Sequence, residues 1–355
     1  MTEIEPFVFA GIRPRVIFGH GTLARVGEEI QKLGHRQALV LSTPNQRADA
    51  ESLSGQLSAL SAGVFAEAAM HTPVEVTERA LAAFKASGAD CVVSLGGGST
   101  TGLGKAIAVR TGSDQIVIPT TYAGSEMTDI LGETKGGEKT TRRDPSILPE
   151  AVIYDVDLTL TLPQSLTVTS GLNAMAHAAE ALYAADRNPI LSLIAGEAIR
   201  ALCNALPAIV QNGSDREARA SALYGAWLCG AALGGASMAL HHKLCHTLGG
   251  AFDTPHAETH AILLPHTIGF NAVAASALLS PLSQALGRTP GAALFDFAAS
   301  LRAPTKLKDF GLSEADLDRA TAMAIKNPYW NPRPFDAASI RQLLQDAWEG
   351  RRPPQ

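Results

Sequence analysis

The sequence predicts an α/β dinucleotide-binding domain followed by an all-α domain. Up to Asp155, short Val/Ile/Leu-rich runs alternate with amphipathic stretches, which is typical of a doubly wound parallel sheet. From Leu160 onward these strand signals vanish, and long Ala- and Leu-rich runs dominate. We therefore expect two domains, residues 1–158 and residues 159–355.

Five apolar runs of the first domain are strand candidates, because they are bounded by Gly, Pro or Ser, as strands buried on both faces are. They are residues 37–42, 62–66, 90–95, 115–119 and 151–154. Helices are expected around them at residues 22–33, 48–61, 74–87 and 100–110. In the second domain, we expect helices throughout, with prolines that break or start them. These prolines are Pro163, Pro189, Pro207, Pro265 and Pro290.

Composition argues against several classes of partner. The net charge is −5 and aromatic residues make up only 5% of the chain, which argues against nucleic-acid binding by bulk charge or by base stacking. Residues 221–240 are uncharged but rich in Ala and Gly, so we expect a buried helix and no membrane span. The four cysteines include no CxxC pair, and the first ten residues carry no basic region. We expect reduced thiols and a cytoplasmic protein.

One glycine-rich stretch formally matches a dinucleotide fingerprint. Gly19, Gly21 and Ala24 are spaced as GxGxxA after a short strand. The fingerprint also requires an acidic residue at the end of the next strand, and residues 41–44 contain none. We interpret this stretch as a tight strand–helix turn.

Two later stretches are better candidates for a cofactor site. LGGGSTT follows the strand candidate 90–95 and opens a helix, where glycine lets the backbone approach a pyrophosphate and helix amides donate to it. PTTYAGSE follows the next strand candidate, and its hydroxyl groups can reach the same ligand. The residues expected to bind the cofactor are Gly96, Gly97, Gly98, Ser99, Thr120, Thr121 and Ser125.

Seven of the ten histidines fall in the second domain. On a helix, Asn173 and His177 face the same side, and so do His242 and His246. His256 follows a turn that contains proline. Such a cluster beside Ala- and Gly-rich helices indicates a catalytic or ligand-binding site, because buried polar groups need specific partners. Three more histidines are expected to be structural or peripheral, namely His241, His260 and His266.

The same residues raise the question of a metal. Three neutral imidazoles can bind a divalent cation, and a fourth, anionic ligand would strengthen the site. Asn173 stands where a carboxylate would be wanted, and its amide oxygen is a weak neutral ligand. These residues alone therefore leave the metal open.

Four blocks resemble the iron-containing alcohol dehydrogenase superfamily in order and spacing, along essentially the whole chain. They are GGGST, PTTYAGSE, SGLNAMAHAAEA and HHKLCHTLGGAFDTPHAETHAILLPH. The resemblance implies an N-terminal dinucleotide-binding α/β domain and a C-terminal helical domain. It maps the metal ligands of the superfamily onto Asn173, His177, His242 and His256, and a neighbouring histidine that is not a ligand onto His246.

Three departures from the superfamily pattern are similar to its maleylacetate reductase branch. Gly102 replaces the Asp that metal-binding members carry in GGGSxxD. The PTTYAGSE loop is one residue shorter than PTTxGTGSE, and Asn173 replaces the first Asp of the ligand motif. This branch is regarded as not requiring a metal, so we expect none.

The resemblance implies reduction of the carbon–carbon double bond of 2-maleylacetate to 3-oxoadipate by NADH or NADPH. We expect His242 and His256 to bind oxygens of this dicarboxylate and His246 to donate or relay a proton, with His177 and Asn173 in the same site. Possible carboxylate clamps are Lys243, Arg142 and Arg143, and Lys139 is a candidate for the cofactor phosphates.

Both cofactors are expected because residues 43–47, after the second strand, contain an arginine and no acid for the ribose 2′-hydroxyl. The resemblance also implies a homodimer. The main alternative is a metal-dependent alcohol or polyol dehydrogenase of the same superfamily. Two further alternatives are a nucleotide-binding sensor without catalytic activity and a lyase similar to the sugar-phosphate cyclases.

Overall fold

We describe the protein from a computed structural model, which covers residues 7–11, 14–136, 138–287 and 289–354, without the side chains of residues 138 and 139. The chain divides into two compact units. One unit contains residues 14–162, and the other contains the described residues from 163 onward together with residues 7–11. Each unit has a hydrophobic core of its own.

The first unit is built on a six-stranded sheet in which all strands run parallel. The strands of this unit are β1 (Arg15–Gly19), β2 (Ala38–Leu41), β3 (Ser61–Phe65), β4 (Cys91–Gly96), β5 (Asp114–Pro119), β6 (Ile130–Lys135), β7 (Glu138–Arg143) and β8 (Ala151–Asp155). The order in the sheet is β1-β8-β5-β4-β2-β3, and β6 and β7 form a separate antiparallel hairpin. Each of the five strand candidates corresponds to one strand of the parallel sheet.

Four helices connect the parallel strands. They are α1 (Val26–Lys32), α2 (Arg47–Leu57), α3 (Val74–Ser87) and α4 (Gly98–Thr111). Val40 and Val93 belong to one core cluster, whereas their neighbours Leu39 and Val92 belong to another. Because successive side chains of a strand point to opposite faces, both faces of the sheet are covered. This explains why the strands appear in the sequence as continuous apolar runs.

The second unit is helical, which confirms the predicted all-α half. Its helices are α5 (Gln164–Tyr183), α6 (Pro189–Gln211), α7 (Arg216–Gly235), α8 (Leu240–Phe252), α9 (His256–Ala275), α10 (Ser280–Leu286), α11 (Pro290–Ser300), α12 (Glu314–Lys326) and α13 (Ala337–Glu349). One core cluster of leucine, isoleucine and alanine side chains joins α8, α9, α12 and α13. The long α5 packs against α6, α7 and α9.

Two local expectations need correction. The stretch around Lys139, where no strand is predicted, lies in strand β7 of the hairpin. Pro189 and Pro290 start helices as expected, but Pro207 and Pro265 lie inside α6 and α9. A proline inside a helix removes one backbone hydrogen bond, which the packing of a long buried helix tolerates.

The apolar helices of the second unit also bear on the expected absence of a membrane span. By length and composition only, α6 could cross a membrane, with a mean hydropathy of 1.5. Half of that segment is buried inside the protein, and α6 packs against α5 and α7. The uncharged stretch predicted as a buried helix lies largely in α7, and a bend of 95° separates α7 from α8. This packing is typical of the core helices of a soluble protein.

The cysteine prediction is confirmed. All four cysteines are free and buried; they are Cys91, Cys203, Cys229 and Cys245. Burial raises the pKa of Cys203 to about 12, so its thiol stays protonated at neutral pH.

Candidate active site

The strand order creates a crevice at the carboxyl ends of β2 and β4. From β2 the chain proceeds outward to β3, whereas from β4 it proceeds in the opposite direction to β5 and β8. Ligands of open α/β sheets bind at such a reversal, because the loops that leave the two neighbouring strands diverge there. The loops after β2, β4 and β5 therefore line the candidate cofactor site.

These three loops are in direct contact. The backbone N–H of Thr120 donates to the carbonyl of Gly96 over 3.1 Å. The side-chain amide of Gln46, after β2, donates to Thr120 Oγ1 over 3.1 Å. A Cβ atom at Gly97 would lie 2.9 Å from Thr121 Oγ1, so the close approach of the loops requires glycine there. The structure thus brings together four residues that the sequence assigned to the cofactor.

The start of α4 is suited to a phosphate. The helix begins at Gly98, and no side chain caps its first turn. Ser99 lies in this turn and is partly exposed. The first amides of a helix lack partners within the helix and carry the positive end of its dipole. An anion such as a pyrophosphate can satisfy them.

The earlier GxGxxA turn is different. The backbone N–H groups of Gly21 and Leu23 donate to the two carboxylate oxygens of Asp155, over 3.0 and 2.7 Å. A carboxylate of the protein thus occupies the amides that a pyrophosphate would need. This agrees with the interpretation of the stretch as a tight turn.

Sequence reasoning missed Lys105, which lies on α4 beneath the loop after β5. Its Nζ donates to the carbonyls of Ser125 and Ile130 over 2.6 and 3.0 Å, and to Thr128 Oγ1 over 2.9 Å. Burial lowers the pKa of Lys105 to about 7, against the opposing charge of Glu126. Lys105 therefore anchors the loop that carries Ser125. The available signal was a lone lysine in the apolar stretch LGKAIAV.

In the helical unit, six imidazoles form one cluster among α5, α8 and α9, with His241 beside His242 and His260. The ring centroids of His177 and His242 are 5.1 Å apart, and those of His242 and His246 are 5.9 Å apart. His260 lies 5.0 Å from His242 and 4.5 Å from His256. The structure therefore brings together the four histidines assigned to the site. His260, expected to be structural or peripheral, joins His256 to the others.

Glu180 is a second residue that sequence reasoning missed. It lies one turn after His177 on α5, and its Oε2 atom is 2.6 Å from His242 Nδ1. The same carboxylate accepts the backbone N–H groups of Ala239 and His241, over 2.9 and 2.8 Å. Burial is the largest influence on Glu180 and raises its pKa, but the hydrogen bond from His242, the charges of His242 and His241 and the backbone N–H of Ala239 together outweigh it, so the pKa is lowered. An ionised carboxylate only accepts, so His242 carries its proton on Nδ1 and directs the lone pair of Nε2 away from Glu180.

A buried chain of hydrogen bonds fixes the proton of His260 in the same way. Thr267 Oγ1 donates to a carbonyl of the preceding turn, that of Leu263 (3.0 Å) or Leu264 (3.2 Å), and accepts from His241 Nδ1 over 2.9 Å. His241 Nε2 is then an acceptor, and His260 Nδ1, 3.0 Å away, donates to it. The lone pair of His260 is consequently on Nε2.

Burial keeps His177, His241 and His260 neutral. Burial and the neighbouring imidazoles hold the pKa of His177 and of His260 well below the usual range. The same causes, burial first, lower the pKa of His241 to about 3. A neutral imidazole is the form that binds a metal ion or accepts a hydrogen bond.

Within the described residues, four buried side-chain atoms of this site have no hydrogen-bond partner. They are Asn173 Oδ1, His177 Nδ1, His242 Nε2 and His260 Nε2. Buried acceptors without partners are costly, and they indicate a ligand. One amide oxygen and three imidazole nitrogens are a donor set that suits a divalent transition metal. Asn173, His177 and His242 also belong to the ligand set that the resemblance implies.

The basic residues predicted to bind cofactor phosphates or substrate carboxylates lie in both units. The side chain of Lys139 lies outside the described residues. Arg142 and Arg143 lie on β7 of the first unit, and Arg143 pairs with Asp129 over 3.4 Å. Lys243 lies on α8, directly after His242.

Two family models match the chain. The model described as iron-containing alcohol dehydrogenase matches residues 13–156, and the C-terminal model of the Fe-containing alcohol dehydrogenase family matches residues 167–348. The chain belongs to the iron-containing alcohol dehydrogenase family. This confirms the resemblance and the fold class drawn from the sequence.

Relatives with assigned names match this family member over its full length. The chain is 60% identical to a maleylacetate reductase of Rhizobium sp. (strain MTP-10005), over 99% of the chain and 100% of the relative. It is 52% identical to a maleylacetate reductase of Burkholderia cepacia, with the same coverage. The crystal structure of maleylacetate reductase from Agrobacterium tumefaciens is similar with a TM-score of 0.96, at 61% identity over 99% of this chain and 100% of that one.

Family membership corrects the expectation that no metal is bound. That expectation rested on Asn173 and on the branch, whereas both matching family models describe iron-containing enzymes. The unpaired oxygen of Asn173 and the unpaired nitrogens of His177 and His242 are atom types that a divalent transition metal binds. An amide oxygen in place of a carboxylate reduces the charge of such a site without removing a ligand atom.

Proposed function

We propose that this enzyme is an oxidoreductase that uses NADH or NADPH to reduce the carbon–carbon double bond of 2-maleylacetate, giving 3-oxoadipate. The observation that carries the proposal is the 60% identity, over the full length, to a protein named maleylacetate reductase. The exposed His246 at the edge of the imidazole cluster supports it, because the substrate offers a ketone and two carboxylates that need hydrogen-bond donors.

The reduction of a conjugated double bond determines which groups the site has to provide. The alkene is conjugated to the ketone, so hydride adds to the carbon distant from the ketone and negative charge develops on the ketone oxygen. That oxygen needs a positioned positive group, and the remaining carbon needs a proton. We assign the proton to His246, which is exposed at the edge of the cluster.

Asn173, His177 and His242 would hold the metal, with His256 completing the set that the resemblance implies. When bound, iron supplies a Lewis acid for a carbonyl oxygen. Glu180 serves this set by fixing the proton of His242 on Nδ1, so that Nε2 faces a ligand. The neutral state of His177 serves it by keeping a lone pair available.

For the cofactor, we propose that the start of α4 binds the pyrophosphate and that Thr120, Thr121 and Ser125 line the remainder of the site. Both NADH and NADPH fit the loop after β2, because residues 43–47 present no carboxylate to repel a 2′-phosphate. Arg47 is half-exposed in this segment, where it lies 3.8 Å from Glu51.

The direct test measures the decrease in nicotinamide absorbance in the presence of maleylacetate. The assay is run with the protein as purified and again after Fe²⁺ is added. Consumption of NADH and of NADPH is the expected result. If neither cofactor is consumed under either condition, the proposal fails. Oxidation of simple alcohols in that case would favour the metal-dependent dehydrogenase alternative.

His242→Ala is the first variant to compare in this assay. We expect turnover to fall by on the order of 10² or more, because the variant loses the nitrogen that Glu180 orients toward the site. His20→Ala is the control, since His20 is an exposed histidine in the turn after β1 of the other unit. Turnover of His242→Ala equal to that of the wild type would remove His242 from the mechanism.

We further propose a homodimer in the cytoplasm, with the small dicarboxylate as partner and with neither nucleic acid nor membrane bound. The net charge of −5 and the absence of any long block of like charge support the absence of nucleic acid as a partner, and the homodimer rests on the resemblance to the family. Light scattering gives the test, because a dimer has twice the chain mass of 37.1 kDa.

A further inference from the structure

An aromatic loop between α12 and α13 is fixed against the start of α8. Asn331 in this loop exchanges two side-chain hydrogen bonds with Asn271 of α9, over 2.9 and 2.7 Å. Its Oδ1 atom also lies 3.4 Å from the backbone N–H of Leu240, the first residue of α8. Asn271 in turn lies 3.2 Å from the hydroxyl of Tyr183, next to Glu180. The loop is therefore held by the same helices that hold the imidazole cluster.

This anchoring places Tyr329 beside His246. The hydroxyl of Tyr329 lies 3.3 Å from His246 Nδ1, and the two rings meet edge to face at 6.4 Å. Tyr329 is 38% exposed, so its ring faces solvent on one side and the cluster on the other. Lys243 Nζ lies 5.5 Å from the centroid of the same ring. A phenol, an imidazole and an ammonium group thus border one position at the edge of the site.

Lys243 lacks the partner that a partly buried cation requires. In the part of the chain that the structure describes, no carboxylate forms an ion pair with it. Lys243 is partly buried, and taking its charge partly out of water costs free energy. The ring of Tyr329 offsets only part of that cost, since cation–π contacts at accessible sites are weak. A carboxylate of a bound molecule would offset the rest.

We propose that Lys243 and Tyr329, together with His246, form the subsite that binds one carboxylate of the substrate. The ammonium group supplies charge, and the phenol hydroxyl supplies a hydrogen bond of fixed direction, since Asn331 holds its loop in place. The inference rests on the proposed function, because it names the part of the site that recognises a dicarboxylate. It also places His246 next to the substrate, where a proton donor has to be.

The subsite is tested with two ligands of equal length. Adipate carries two carboxylates, and adipamide carries two neutral amides in their place. The variants are Lys243→Met, which keeps the length of the side chain, and Tyr329→Phe, which keeps the ring. Lys326→Met is the matched control, because Lys326 is an exposed lysine at the end of α12.

We expect Lys243→Met and Tyr329→Phe each to weaken the binding of adipate about tenfold or more, since hydrogen bonds to charged groups carry energies of that size. Binding of adipamide should change less than about twofold, because no charge is paired in that complex. With maleylacetate the same variants should raise KM with little change in kcat, and the Kd for NADH should stay that of the wild type. Lys326→Met should leave all of these values unchanged.

Equal weakening of adipate and adipamide in Lys243→Met would show a loss of packing and would overturn the subsite. Unchanged adipate binding in both variants would overturn it as well. Adipate binding is measured without turnover, so it stays informative if the wild type fails to reduce maleylacetate. In that case the proposed function fails, whereas a charge-specific loss of adipate binding would still support a carboxylate subsite.

Discussion

Glu180 determines which face of His242 meets a ligand. Glu180→Gln replaces an oxygen that accepts from Ala239 N and from His242 Nδ1 with an NH2 group, which cannot accept. His242 then has to shift its proton to Nε2, which removes the lone pair from the site. We expect kcat and the affinity for Fe²⁺ each to fall about 10- to 100-fold, as for other residues that orient a metal ligand.

Steady-state kinetics and a titration of the metal against a competing chelator measure these two effects. Glu197→Gln is the control, since Glu197 pairs only with Arg200 of its own helix among the contacts described. Unchanged Fe²⁺ affinity in Glu180→Gln would mean that the carboxylate serves the fold alone.

His266 makes the stability of the helical unit dependent on pH. Burial lowers its pKa to about 4, while the unfolded chain retains the ordinary value of about 6.5. Below pH 6.5 the unfolded state binds a proton at this histidine and the folded state does not. The contribution of His266 to the free energy of unfolding is therefore fully present above that pH and is lost as the pH falls toward 4. The slope for one such group is about 1.4 kcal/mol per pH unit.

His266→Leu removes this titration while keeping a side chain of similar size against Phe295. We expect urea unfolding at pH 7.5 and at pH 5 to show a smaller loss of stability on acidification in the variant than in the wild type. An identical pH dependence in His266→Leu and wild type would contradict the assignment.

Individual residues show what the sequence could and could not predict about the site. Asn173, His177, His242 and His246 were found because helical spacing places each pair on one face. Glu180 was missed because its partners are the amides at the start of α8, which are distant in sequence. An acidic residue in an Ala-rich helix looks like a solvated one until the packing of the two helices is known.

At the scale of elements, packing against neighbouring residues limits which side chains the start of α4 can carry. A Cβ atom at Gly102 would lie 2.4 Å from Thr72 Oγ1, and Thr72 has a φ of +46°, which threonine rarely adopts. The position at which metal-binding members of the superfamily carry Asp is therefore closed here to any side chain unless Thr72 moves.

Gly102→Ala should lower the free energy of unfolding by about 1–3 kcal/mol, the usual cost of overpacking. Thr72→Gly in the same chain should recover much of that loss, because it removes both the clash and the strained φ. Gly55→Ala is the control, since a Cβ there meets nothing within 4 Å on the exposed face of α2. Urea unfolding of the wild type, the two single variants, the double variant and the control measures this. Additive effects of the two substitutions would contradict the contact.

Elements also differ in how readily the sequence predicts them. Four of the five predicted strands, β2, β4, β5 and β8, are buried almost throughout, so their apolar runs are continuous, whereas the edge strand β3 is only partly buried. The β6–β7 hairpin was missed because EKTTRR is polar throughout and its pairing is set by partners on β6. The internal prolines of α6 and α9 were misjudged because tertiary packing outweighed the local preference.

At the scale of the molecule, the two units carry different parts of the chemistry. The α/β unit supplies backbone amides and hydroxyl groups at the ends of β4 and β5. The helical unit supplies neutral imidazoles, an amide and a carboxylate held among α5, α8 and α9. The sequence predicted this division because the change from strand to helix signals coincides with the change from glycine loops to histidines.

Hydrogen–deuterium exchange tests this division along the whole chain. NADH should slow exchange in residues 96–101 and 120–125, where a helix start and a polar loop offer amides to a phosphate. It should leave residues 19–24 unchanged, because the amides of Gly21 and Leu23 are already bonded to Asp155. Fe²⁺ should slow exchange in α5, α8 and α9, since a bound metal raises the cost of opening the helices that hold it. Protection of residues 19–24 by NADH, with residues 96–101 unaffected, would place the cofactor on the first glycine turn and overturn the assignment.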